Sequence, residues 1–143
     1  MFKKEAVFMC FCKKVEISDI KSFKFCYSTG CFADAKVVLG LEKKGSVYIA
    51  SFKDEGVPDE GTKFYTVGKS FAHGVRDILA ENGVGKWNGF SKASKNVLDG
   101  NDFSLYVTME NDDRLRANGY MKWPKNYTVV KERLASLYTV LED

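Results

Sequence analysis

Between residues 86 and 95, lysines and aromatic rings interleave as Lys86-Trp87-x-Gly89-Phe90-x-Lys92-x-x-Lys95. Ammonium groups beside flat rings can hold single-stranded nucleic acid, the charges on phosphates and the rings on bases. The competing reading is that Trp87 and Phe90 tuck beneath a long loop and leave the lysines in water. Loops of this length are generally pinned by their own apolar residues, which favours that second reading. The four cysteines, Cys10, Cys12, Cys26 and Cys31, are the next candidates. Cys10-x-Cys12 and Cys26-x4-Cys31 would together offer four sulfurs to zinc. Neither pair has the two-residue spacing with which a knuckle wraps a metal. We read them as reduced thiols acting as small hydrophobes, and we expect no metal and no cofactor.

Catalytic chemistry finds little to work with. His73 is the single imidazole, and at about 100° per residue it sits about 200° around a helix from Phe71, away from the buried stripe. There is no Gly-x-Ser-x-Gly elbow, and nothing in the sequence argues for a Cys31–His73 dyad. Gly83-x-Gly85-Lys86 follows a helix instead of opening one, so no helix N-terminus would face a phosphate. Asp99, Asp102, Glu110, Asp112 and Asp113 crowd the last hairpin, but they are turn formers without the alternating ligand pattern of a calcium loop. No catalytic residue is assigned, and the reading is not an enzyme.

The elements that would position these groups are clearest from Phe103 to Leu141. Phe103, Leu105, Val107 and Met109 alternate with polar residues as in a half-buried strand. Asn111-Asp112-Asp113 turns the chain, and alternation resumes through Leu115, Ala117 and Gly119. Trp123-Pro124 ends that strand, since proline has no N–H for a ladder. Tyr127, Val130, Leu134, Leu137, Tyr138 and Leu141 then form one stripe of a helix. Upstream, Phe23, Phe25 and Tyr27 mark a strand, and a second runs near Lys36 to Leu41. Val47 and Ile49 continue a third, and Lys63 to Val67 forms a fourth after an acidic loop. A helix is expected from about Lys69 to Asn82, burying Phe71, Val75, Ile78 and Leu79 and stopping at Asn82-Gly83. Residues 83–102 are a long connection, with Trp87, Phe90, Val97 and Leu98 as possible anchors. The order strand, turn, strand, helix occurs twice, which leaves a ββα duplication open beside convergent patterning.

At 143 residues the chain fits one domain. Residues 1–20 are set apart as an N-terminal arm or edge strand, strand or helix being unresolved, and 21–143 form the domain. A net charge of +3 is too small to argue for nucleic acid by itself. It is uneven, with +4 over residues 1–44 and +3 over residues 85–98. Met1-Phe2-Lys3-Lys4 and the apolar run to Cys12 mimic a leader. Lys13-Lys14 breaks that run with no small-residue cleavage site, so a cytoplasmic location is expected and a membrane partner is not.

The run Lys86-Trp87-Asn88-Gly89-Phe90, then Asn96-Val97-Leu98-Asp99-Gly100, Phe103-Ser104-Leu105, Gly119-Tyr120 and Trp123-Pro124-Lys125-Asn126-Tyr127 form a signature. It resembles a family of small uncharacterised Firmicutes proteins. The element from Ser22 and Phe23 through Tyr27-Ser28-Thr29-Gly30 belongs to the same resemblance, which covers roughly residue 20 to the C-terminus. It implies one domain and a bacterial or mobile-element origin. It transfers no activity and no site.

Taken together, these readings predict an α+β two-layer sandwich, an antiparallel sheet with two helices on one face. The uncovered face would then carry Tyr48, Phe52, Tyr106 and Tyr120 in or near solvent, a natural protein-contact surface. The expected function is a non-enzymatic interaction module binding another protein through Tyr48, Tyr106 and Tyr120, a small inhibitor being one version. The alternative is nucleic-acid binding through Lys86, Trp87, Phe90, Lys92 and Lys95.

Overall fold

The computed structural model describes residues 14–30, 35–95 and 100–142. Seven strands form one sheet: β1 (Ile20–Ser28), β2 (Lys36–Lys44), β3 (Val47–Lys53), β4 (Lys63–Val67), β5 (Ser91–Ala93), β6 (Asp102–Met109) and β7 (Arg114–Tyr120). Two helices, α1 (Lys69–Glu81) and α2 (Tyr127–Thr139), complete an α+β fold. The spatial order is β4-β3-β2-β1-β6-β7-β5. Every pairing is antiparallel except that of β5 with β7.

Alternation fixes the faces. Phe25 stands opposite Leu39 on β2 and Leu105 on β6, and Leu105 stands opposite Ala117 on β7. These side chains are buried, as are Val75 and Leu79 of α1 and Val130, Leu134 and Tyr138 of α2. Both helices therefore cover the same face, and sheet and helices bury each other's apolar sides. Tyr138 also reaches through that layer, its hydroxyl donating to the Gly40 carbonyl at 2.6 Å. Burial holds the Tyr138 and Tyr127 phenols in the neutral form, pushing both well above the ordinary tyrosine range.

The expected third strand is present but faces the other way. Tyr48, 4% exposed, and Phe52 point into the core with Ala50, while Val47 and Ile49 face outward. Leu39 pairs with Phe52 and Leu41 with Ala50, and because side chains alternate with period 2 this register sets the facing of the whole strand. The predicted solvent positions of Tyr48 and Phe52 are thereby corrected. Tyr106, 43% exposed, does stand on the uncovered face. Tyr120 shares that face half-buried, its hydroxyl accepting the Gly100 N–H at 2.9 Å.

The expected order of two ββα units is present as β3-β4-α1 and β6-β7-α2. Ahead of β1, residues 14–19 lie against the C-terminal end of α1, where the Val15 N–H donates to the Gly85 carbonyl at 3.0 Å. A Cβ on Gly85 would collide with the Val15 carbonyl oxygen, so that crossing requires glycine. Residues 1–13, with the strand-or-helix question and with Cys10 and Cys12, lie outside the described residues, as do Cys31, Val97 and Leu98. Cys26 is a half-buried free thiol on the uncovered face, and burial raises it above the ordinary thiol range. No helix among the described residues is long and apolar enough to cross a membrane.

Candidate functional site

The groove of interest forms where the connection after α1 meets the connection after β7. Gly83 takes a left-handed φ of 70°, as the Asn82-Gly83 stop requires, and Val84–Trp87 then make one 3-10 turn. That turn drives the Trp87 indole inward, where its Nε1–H donates to the Lys125 carbonyl at 3.0 Å. The ring meets Phe103 at 6.2 Å and Tyr127 at 6.1 Å between centroids. Trp87 is thus an anchor of the fold and cannot stack on a ligand, the buried alternative that the loop's length favoured. Phe90 is half-buried against Phe103 at 6.2 Å, and the Lys92 ammonium stands 5.3 Å from the Phe90 ring centre. Backbone bonds fasten the loop to the sheet, Gly89 N–H to the Arg116 carbonyl and Asn118 N–H to the Phe90 carbonyl, each at 2.9 Å.

Residues 121–126 supply the opposite wall. Gly119 permits the bend, since a Cβ there would strike the Lys122 carbonyl oxygen. Trp123 stacks on Tyr127 with centroids 4.9 Å apart and planes 24° from parallel. Its outer side stays open, leaving the residue 41% exposed. The Asn126 amide donates to the Asn82 carbonyl at 3.0 Å and ties this wall to the end of α1.

Between the walls lies a groove of about 570 Å³, lined by Lys86, Lys92, Trp123 and Lys125, with Phe90 and Asn126 among its other residues. Glu81 also lines it, but its carboxylate is 3.5 Å from Arg133. Among the described residues no carboxylate forms an ion pair with Lys86, Lys92 or Lys125. Three ammonium groups beside one exposed indole make a surface suited to an anion that also carries flat rings. Lys95 is exposed beyond β5 and does not line this groove.

Sequence reasoning found half of this site. Lys86, Phe90 and Lys92 were visible as an interleaved run, whereas Trp123 and Lys125 read only as a strand stop. A signal was present: a tryptophan in a polar stop segment has no strand face to bury it.

Another charged cluster joins Asp19, His73 and Arg76. Arg76 Nη1 donates to the Asp19 carboxylate at 2.7 Å, and His73 Nε2 is 4.0 Å from it. The hydrogen bond from Arg76, aided by the nearby positive charges, holds the Asp19 carboxyl below its usual range. This is a surface latch between the pre-β1 segment and α1. The Cys31–His73 question lies outside the described residues on its cysteine side. Among the described residues no group of three His, Cys, Asp or Glu side chains could hold a metal ion. No protein-family model and no curated protein matches the chain.

Proposed function

We propose that this protein is a non-enzymatic binding module that takes single-stranded nucleic acid into the groove between residues 82–92 and residues 121–126. The observation that carries the reading is that Lys86, Lys92 and Lys125 line one groove with the half-open Trp123, without carboxylate partners among the described residues. Phosphates would take the ammonium groups and a base would stack on the indole, which needs no sequence-specific hydrogen bonds. The test is fluorescence-monitored binding of a mixed-sequence oligonucleotide across a salt series. Three phosphate contacts predict a slope of log K against log salt of roughly −2 for a single strand. Changing Lys86, Lys92 and Lys125 to glutamine should flatten that slope, and Trp123→Ala should weaken binding while leaving the slope nearly intact. Binding that is absent at low salt, or unchanged in the triple variant, overturns the proposal.

A second reading, contact with another protein across the uncovered sheet face, keeps one specific support. Tyr106 and Phe64 stand exposed there, Phe64 by 68%, and aromatic anchors dominate many interfaces. A partner lost with Tyr106→Ala but retained by the lysine variant, and insensitive to nuclease, would favour it. The small bacterial inhibitor belongs to this second reading.

A further inference from the structure

The uncovered face holds a second concavity, far in the sheet order from the groove. One row of side chains crosses the sheet through Phe64, Ser51, Gly40 and Lys24, read directly from the strand registers. Its middle is low, because Gly40 has no side chain and Ser51 carries only a hydroxyl. A trough of about 440 Å³ results, walled by Val38, Ile49 and Phe64. That volume is within the range of small-molecule sites, which pair apolar walls with a few placed polar groups.

The polar group here is unusual. Lys53 lines the trough yet is only 4% exposed. Its Nζ donates to the Lys36 carbonyl at 3.1 Å. An ammonium has three N–H donors, and among the described residues no carboxylate forms an ion pair with this one. Burying a charge without an opposite charge is costly, and a bound anion removes that cost. The acids on the lining are Glu42 and Asp59. Glu42 is 3.5 Å from Lys44 and lies four residues along β2 from Val38, about 13 Å at the rise of a strand. Asp59 is exposed on the turn at Asp59–Gly61. Lys53 thus stands at the Val38 end, Glu42 lies at the far end of β2, and Asp59 lies on the turn leading into β4, whose Lys63 stands opposite Phe52.

We propose that this trough is a binding site for a small apolar carboxylate, its acid group on Lys53 and its hydrocarbon body along Val38, Ile49 and Phe64. A buried ammonium beside apolar walls favours an amphipathic anion over a purely apolar molecule. The site is independent of the nucleic-acid groove and rests on none of the same side chains.

The experiment uses the full chain with sodium octanoate as probe and octanol as its uncharged counterpart, read by calorimetric titration and by thermal midpoint. Octanoate should bind and raise the midpoint as a ligand of the folded state does, and octanol should do so far more weakly. Lys53→Met should lower octanoate affinity roughly ten- to hundredfold, the range for losing a hydrogen bond to a charged group. That variant removes a buried charge and so should keep the wild-type midpoint without ligand. Ser51→Phe, which fills the trough while sparing Lys53, should also abolish binding. Equal binding of octanoate and octanol, indifference to both variants, or no octanoate binding overturns the proposal. Should Lys53→Met fail to fold, the octanol comparison and Ser51→Phe still decide it.

Discussion

In the first ββα half, β4 passes into α1 through Gly68 alone, whereas in the second, residues 121–126 separate β7 from α2. The single-residue joint starts the helix at the end of the strand, with no side chain interposed. The longer joint carries Trp123, Pro124 and Lys125, folds against the Trp87 turn and leaves a groove between them. Both halves otherwise supply the same things, a hairpin with one apolar face and a helix with one apolar stripe. At these two strand-to-helix joints, binding potential follows the length of the connection, since only the longer one has residues to spare from packing.

The comparison can be broken first at Trp87, which serves the second half alone. Trp87→Ala should cost about 3–5 kcal/mol, the range for emptying a buried aromatic site, and denaturant unfolding will measure it. A loss below that found for Trp123→Ala would mean that the two connections do not rest on the buried indole. Leu134→Ala, at the centre of α2, should cost about 2–5 kcal/mol. An unchanged thermal midpoint there would refute the facing of that helix. Tyr138→Phe tests what ties the second half to the sheet beyond it, because its hydroxyl reaches the Gly40 carbonyl on β2. Its loss should cost about 1–3 kcal/mol by leaving the Gly40 carbonyl buried without that donor.

Alkaline titration sharpens the same contrast. The raised values of Tyr127 and Tyr138 mean that the folded state holds those protons more tightly than the unfolded chain. Their contribution is therefore full below the ordinary tyrosine value of 10.0 and is lost as pH climbs above it toward the folded values. Circular dichroism should show unfolding setting in above that pH, and Tyr138→Phe should retain more of its own neutral-pH stability there than wild type does. Least of all should follow from Phe64→Ala on β4, within about 0.5 kcal/mol, as is usual for surface substitutions.

Much of the architecture was legible because its patterns were clean. In β1 the buried Phe23, Phe25 and Tyr27 alternate with the exposed Lys24, and in α2 the stripe Tyr127, Val130, Leu134 and Tyr138 is the buried set. The third strand misled for the opposite reason. Val47 and Ile49 on one face and Tyr48 and Phe52 on the other are all apolar, so alternation carried no sign of which side was wet. Only the pairing with Leu39 and Leu41 decides it, and pairing is not local information. The groove was half legible for a related reason. Lys86, Phe90 and Lys92 are close in sequence, but Trp123 and Lys125 join them only because Trp87 donates to the Lys125 carbonyl across the intervening sheet residues. The short parallel strand β5 had no apolar pattern to announce it, all three residues being exposed.

The place of β1 in the sheet has a consequence for the order of events in time. Its neighbours are β2, close behind it in the chain, and β6, whose Met109 stands opposite Ile20. A chain growing from its N-terminus presents Phe23, Phe25 and Tyr27 long before residues 102–109 exist to complete their surroundings. Such distant pairing is the kind of topology that slows folding. The central strand is thus the part with the longest wait, and that interval is when a nascent chain has most to gain from a chaperone.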